Sequence, residues 1–480
     1  MREALKKLTG ESVIYGLGQV SGRAVQLLLV PVLTAVLLQQ EYGVSELVLA
    51  YLQTAVLVLV FGMDGALARF FYQEPDRAAR VRMVSSSLGF RLVTGGAAAA
   101  LIALAAAPLS HLLVGSDAYR KYVLLGAATL PLTLVVLFGN DVLRVTFQPW
   151  KFIALNITQT LVTAGVTLWL VLERHLGVAG VLYGRLAGDA LSALVALVLV
   201  RHALAPRLSR TVLARMLRYG APLVPVAFAY GAIASVDRFV LQRTRSLEEV
   251  AVYGVAAKFF AVVSMGVAAF QLAYGPFAFA RAQAPDARRL YARVLAAFVA
   301  AASLGAMAVG LFAPEALAAL VRADYAGAAR PAAWLVFAAV AQGAYTVVSV
   351  GIGLALRTPL LGWSAGGAAA VAVAANLVLT PRFGPDGAGV ATTLGYIVSA
   401  VLAYRVAQAV YPVPYRGLRA AALFALALAL TLAGQALAPA GIAGAGVKLV
   451  VLLLFAAVVW WLAPWTERGA VARAATGTPA

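Results

Sequence analysis

The sequence predicts an all-α polytopic membrane protein of about 14 helices, and three observations predict it. Hydrophobic residues make up 63% of the 480 and charged residues only 12%, with a mean hydropathy of +0.90, far from a soluble domain. Apolar stretches long enough for a bilayer core of about 30 Å follow one another from end to end, separated by short connections. Lysine and arginine gather in alternate connections, as membrane insertion requires.

The first span is read at 12–38. It follows MREALKKL, which superficially resembles a secretory signal, but the apolar part running past Ser12 to Leu38 is too long for a signal core and ends in no small-residue cleavage site. Pro, Gly and charge punctuation then place spans at 45–68, 84–107, 121–143, 152–172, 177–200, 219–242, 250–274, 291–312, 331–354, 359–379, 387–410, 418–437 and 446–465. The tail ERGAVARAATGTPA is expected to be disordered. An about threefold excess of Lys and Arg on one side of this topology puts both termini in the cytoplasm, in a cytoplasmic (inner) membrane.

Two echoes about 210 residues apart suggest duplication. Tyr42-Gly43 reappears as Tyr253-Gly254, and GVAGV at Gly177 to Val181 as DGAGV at Asp386 to Val390. The implied organisation is a six-helix bundle over 1–205, a second over 206–412, two further helices over 413–466 and a cytoplasmic tail over 467–480. Six is even, so both bundles insert the same way up, related by a pseudo-twofold along the membrane normal, with a ligand cleft between them.

The net charge of +19 would suit nucleic acid, but its loop-by-loop placement argues for membrane topology instead. Cysteine is absent, which excludes disulfides, thiolate metal sites and cysteine nucleophiles. GWSAG at Gly362 to Gly366 matches a nucleophile-elbow pattern, yet it falls in a membrane helix rather than a strand–turn–helix, and no histidine is placed to serve it. No enzymatic activity, metal or cofactor is expected.

LLQQEYGVSELVLAY at Leu37 to Tyr51, FGMDGALARFF at Phe61 to Phe71, and SVDRFVLQ at Ser235 to Gln242 followed by YGVAAKF at Tyr253 to Phe259 resemble the polysaccharide-transporter branch of the MATE/MOP superfamily, which includes Wzx-type flippases of O-antigen and capsule synthesis. The resemblance implies two six-helix bundles plus two C-terminal helices that open alternately to either side of the membrane. It implies as cargo an oligosaccharide joined through diphosphate to a polyprenyl lipid, moved to the outer leaflet for O-antigen, capsule or exopolysaccharide synthesis. Membrane lipids and polysaccharide-assembly proteins are the further partners it implies.

Ionised groups deep in a span cost about 2.5–3.5 kcal/mol unless they meet water or a partner. Gln19, Arg23 and Gln26 share one face of the first span, a polar stripe suited to phosphate or sugar. Arg91, Arg185 and Lys258 also lie well inside their spans and complete the expected substrate-binding set. Arg185 has Asp189 one turn on, so the two can instead neutralise each other. Asp64, Asp189, Asp237 and Arg238 are candidates for gating or for coupling to protons or sodium. Arg238 and Lys448 lie near span ends, where snorkelling suffices.

A flippase of another lipid-linked precursor is an alternative that the motifs do not separate, and three other functions compete. An exporter of organic cations, as in MATE proteins, predicts an acidic cavity, whereas the mid-span set is mainly basic. A membrane glycan polymerase needs an acid/base constellation that the short connections do not offer. A non-transporting scaffold would use the same buried charges to join helices.

Overall fold

A computed structural model describes residues 22, 24–205, 208–282, 284–355, 357, 359–438 and 441–462, and among these described residues there are helices and connections but no strands. The helices in chain order are α1 (Ala24–Val36), α2 (Gln39–Leu59), α3 (Met63–Gln73), α4 (Arg77–Leu104), α5 (Ala106–Val114), α6 (Arg120–Val145), α7 (Pro149–Leu168), α8 (Gly177–Val200) and α9 (Arg210–Gly220). They continue with α10 (Val224–Thr244), α11 (Leu247–Ala280), α12 (Ala287–Leu311), α13 (Ala313–Leu320), α14 (Ala329–Leu354), α15 (Pro359–Val410), α16 (Gly417–Leu437) and α17 (Ile442–Leu462).

Twelve helical segments among the described residues are long and apolar enough to cross a membrane. One of them is α15, whose 52 residues would extend about 78 Å if straight. It is broken instead at Gly384 (φ 57°, ψ −135°), between Pro381 and Pro385. Beyond the break Gly387 packs against the Leu379 carbonyl, so the chain doubles back. The two limbs match the separate spans expected at 359–379 and 387–410. Apolar side chains left open along the helices, such as Val93 (71% exposed) and Leu104 (86%) on α4, suit lipid and not water.

Contacts divide the chain into two compact units: one of Met1–Val255, Leu320–Tyr325 and Ala368–Thr392, the other of Ala256–Ala319, Ala326–Gly367 and Thr393–Ala480. The sequence places its division at 205/206, whereas the contacts divide inside α11. The cause lies in α2, which packs along α10: a Cβ on Gly231 would stand 2.9 Å from Thr54 Cγ2. In the first unit the core is built on Met63, Leu67, Met83, Phe138 and Met216. In the second, Met307, Phe337 and Phe455 join α17 to α12 and α14.

The second expected span is interrupted. Phe61 (φ 53°) and Gly62 (φ 66°) adopt left-handed backbone, which ends α2 and starts α3, placing Asp64 in the first turn of α3 where a helix end favours an acid. The short helix α9 also replaces what the sequence reads as a plain connection.

Candidate functional site

Among the described residues of the first unit, the buried carboxylates Asp141, Asp189 and Asp237 are each held by a different set of elements. Asp141 on α6 meets Arg91 on α4, Arg91 Nη2 donating to Oδ2 at 2.6 Å, while Arg144 Nη2 stands 3.0 Å from Oδ1. The Arg91 side chain is wholly inaccessible and its guanidinium lies 6.0 Å from the centroid of the Phe138 ring. The expectation that Arg91 lines a hydrated cavity is therefore corrected: α4 and α6 pack along their length, and the acid on the facing helix takes up the charge.

Asp189 on α8 is also fully buried. Its Oδ2 accepts from Thr133 Oγ1 on α6 at 2.6 Å and from Arg185 Nε at 2.9 Å, and its Oδ1 accepts from Gln159 Nε2 on α7 at 2.6 Å. Close approach of α7 and α8 makes this reach possible: Gly184 lies against Thr167 and Gly188 against Thr163, where a side chain would collide. Of the two readings open for Arg185 and Asp189, the structure shows the paired one. The Arg185 side chain nevertheless stays 31% accessible, although Asp189 holds its Nε.

Asp237 on α10 is gathered from farther along the chain. Tyr253 on α11 donates its hydroxyl to Oδ2 at 2.5 Å, Thr392 on the second limb of α15 donates to the same oxygen at 3.2 Å, and Oδ1 accepts the Arg238 backbone amide at 2.7 Å. Arg238 does not snorkel. Its side chain is 14% accessible and lies 3.6 Å from Asp237 Oδ1, its Nη1 donates to the Ala234 carbonyl at 3.2 Å, and its guanidinium lies 5.4 Å from the centroid of the Tyr253 ring. The second charge nearby is Glu46 on α2, which acts on Arg238 electrostatically.

This cluster adjoins the end of the unit where α2 begins, here called the Tyr42 end. The two Tyr-Gly echoes meet there reciprocally: Gly43 abuts the Leu247 carbonyl at the start of α11, and Gly254 abuts the Glu46 side chain on α2. Gln39 Nε2 donates to the Asp324 carbonyl at 3.1 Å, Tyr42 packs edge-on against Tyr325 at 5.9 Å, and Arg245 Nη2 donates to the Arg382 carbonyl at 2.8 Å. The segments 39–46, 245–254, 322–325 and 382–384 thereby close this end of the unit.

Other expected site residues are placed separately. Gln19 and Arg23 lie outside the described residues, Gln26 is exposed on α1, and Lys258 is half-buried on α11. Asp64 is exposed. Lys448 does not snorkel either: it is fully buried in the second unit, with Nζ 2.6 Å from Glu315 Oε1, because α17 packs against the segment that carries Glu315.

Sequence reasoning missed Tyr253 and Thr392 as partners of Asp237, and Thr133 and Gln159 as partners of Asp189. No spacing rule links residues 155 positions apart, but the repeated Tyr-Gly pair was a usable signal for Tyr253. Two serines of the SSS run on α4 hold the connection after α8: Ser85 Oγ accepts the Ala205 amide at 2.8 Å and Ser86 Oγ the Ser209 amide at 3.0 Å.

The model of the polysaccharide biosynthesis protein family matches residues 8–280. Among solved structures, the lipid II flippase MurJ in an inward closed conformation is similar with a TM-score of 0.73 at 11% identity, over 93% of this chain and 99% of that one. The Vibrio cholerae MATE transporter VcmN in its bent form is similar with a TM-score of 0.56 at 13% identity, over 84% and 96%. A MOP superfamily transporter from Pyrococcus furiosus is similar with a TM-score of 0.51 at 15% identity, over 87% and 96%. No curated protein matches in sequence.

Proposed function

Starting from the chain's membership of the polysaccharide biosynthesis protein family, and from the fold it shares with a lipid II flippase and a MATE transporter, we propose that it is a multi-pass MOP-type transporter that flips a polyprenyl-diphosphate-linked oligosaccharide from the cytoplasmic to the outer leaflet of the cytoplasmic membrane. The observation that carries this reading is the family match over more than half the chain. The likeness in fold to a lipid II flippase supports a lipid-linked cargo.

A diphosphate crosses hydrocarbon only where fixed charge replaces its hydration. Arg23 with Gln19 and Gln26, the partly accessible Arg185, and Lys258 are the groups assigned to that task, and Arg91 leaves the set because Asp141 holds it. With the inside negative, each negative charge moved outward across the whole field gains about 2.3 kcal/mol per 100 mV. Asp237 is assigned to proton or sodium coupling. The closed Tyr42 end is assigned to the outer face, with both termini in the cytoplasm as the charge bias directs.

Deleting the gene and complementing with Arg23→Ala tests the reading. Surface glycan is expected to disappear while the lipid-linked precursor accumulates inside and protein level stays normal. Normal glycan display with that variant removes the cargo assignment. Drug hypersensitivity without precursor accumulation would favour cation export.

A further inference from the structure

The segment RTVLARMLRYG puts Val212, Leu213, Met216 and Leu217 on one face of α9 and Arg210, Arg215 and Arg218 on the other. At 11 residues it is too short to span. Its apolar face is sunk into the first unit: Met216 is buried beside Leu67 and Met83, and Tyr219 packs edge-on against Phe70 of α3 at 5.8 Å. Two serine-to-amide hydrogen bonds just before it fix its approach along α4.

Two arginines are mounted on that aromatic pair. The Arg69 guanidinium lies 5.0 Å from the centroid of the Tyr219 ring, and that of Arg215 lies 4.7 Å from the centroid of the Phe70 ring. Both are exposed. Among the described residues no carboxylate lies within ion-pair distance of Arg69, Arg215 or Arg218. The neighbouring acid Asp76 is occupied, accepting the Ala78 and Ala79 amides at 3.0 Å each at the start of α4 and standing 3.5 Å from Arg82. Immediately before α9, Leu208 is 66% exposed.

Charge kept only to set topology needs no fixed orientation. Here ring faces hold two guanidinium groups in place, one on α3 and one on α9, whose other face is anchored in the bundle and which leads into the apolar helix α10. We propose that Arg69 and Arg215, mounted on Phe70 and Tyr219, form a binding site for the phosphate of an anionic phospholipid in the adjoining leaflet. Charge complementarity selects the occupant: the site offers two cations and, among the described residues, no carboxylate within ion-pair distance of either. The proposal takes from the transporter reading only that the chain spans a bilayer.

The test uses the purified full-length protein and compares retention of phosphatidylglycerol with that of phosphatidylcholine by native mass spectrometry. Arg69→Gln/Arg215→Gln is expected to cut the preference for phosphatidylglycerol about 30-fold, near fivefold per arginine. Arg120→Gln/Arg174→Gln removes equal charge at the Tyr42 end and is expected to leave the preference unchanged. Arg69→Lys/Arg215→Lys guards against misfolding: it keeps the charge, loses the planar fork, and is expected to show an intermediate preference. An equal loss in both glutamine pairs, or no loss in the first, overturns the site. Displacement of phosphatidylglycerol by an equimolar polyprenyl diphosphate also overturns it, since the pocket would then belong to cargo. Transport is not read, so failure of the flippase assignment leaves this result standing.

Discussion

Asp189 and Asp237 are both buried carboxylates in the first unit, yet they are satisfied in opposite ways. Asp189 takes its donors from α6, α7 and its own α8, three neighbours in sequence that glycines bring into close contact. Asp237 takes its side-chain donors from Tyr253 on α11 and from Thr392, which lies 155 residues away. A carboxylate satisfied inside one tightly packed helix group cannot lose its partners without unfolding that group. One that also draws on Thr392, 155 residues away, depends on segments brought together beside the Tyr42 end, and would lose that donor if this end opened in transport as proposed. The first holds Arg185 in place; under the proposed coupling role, the second would have an affinity for a proton or cation that depends on conformation.

The largest effect that would break this contrast is expected at Asp189. Asp189→Ala orphans the Thr133, Gln159 and Arg185 donors in a dry core, and removing one partner of a buried ion pair costs about 3–5 kcal/mol. Thermal unfolding of the purified protein reads it. Asp189→Asn, which keeps one acceptor oxygen, should recover part of the loss. If the alanine variant unfolds within about 1 kcal/mol of the native protein, Asp189 is no anchor and its pairing with Arg185 is dispensable.

Next comes the Asp141 cluster, which sharpens the same point within a single carboxylate. Arg91 is inaccessible and Arg144 is half exposed, with 52% of its side chain open. Arg91→Ala should therefore cost about 3 kcal/mol, and Arg144→Ala no more than about 1 kcal/mol. Equal costs in urea titration would mean that burial does not decide the value of these pairs.

The helical fold and its span limits could be read from hydropathy and Pro/Gly punctuation because both report on burial in lipid, which acts residue by residue. The break at Gly384 was expected for the same reason, with Pro381 and Pro385 beside it. The partners of buried charges were far less legible. Arg185 and Asp189 lie one helical turn apart and periodicity could pair them, but Arg91 and Asp141 meet only through the packing of α4 on α6. Snorkelling was the expectation for Arg238 and Lys448 from their depth along the span, and it gave way because each meets an acid or a ring from another helix. The helix α9 was hidden by a focus on stretches of about 20 residues, although its amphipathic pattern is plain over 11 residues once the window is shortened.

At Asp237 itself the expected signature is functional. Asp237→Asn retains volume and an acceptor, so its cost in stability should stay near 1 kcal/mol, well below that at Asp189. Flux of lipid-linked cargo in proteoliposomes should fall about tenfold and lose its response to an imposed proton or sodium gradient. A variant that transports normally and still responds to both gradients would show that Asp237 only braces α10.

Tyr253→Phe and Thr392→Val give the finest test, since both remove one hydroxyl from the same carboxylate oxygen. The Tyr253 bond is the shorter, 2.5 Å against 3.2 Å, and hydrogen bonds to charged groups contribute about 1.5–3 kcal/mol when well formed and less when long. Tyr253→Phe should therefore favour the open Tyr42 end by about 1–2 kcal/mol, and Thr392→Val by about half of that. Crosslinking yield between cysteines placed at Gln39 and Asp324, where the Gln39 side chain reaches the Asp324 carbonyl, reads the shift: it should fall in the order native, Thr392→Val, Tyr253→Phe. The double variant should fall short of the sum of the two, because both hydroxyls serve one oxygen. Unchanged yields in both variants would mean that the closed end is held by the Gly43 and Gly254 contacts alone, with Asp237 satisfied in either state, and the contrast with Asp189 would then disappear.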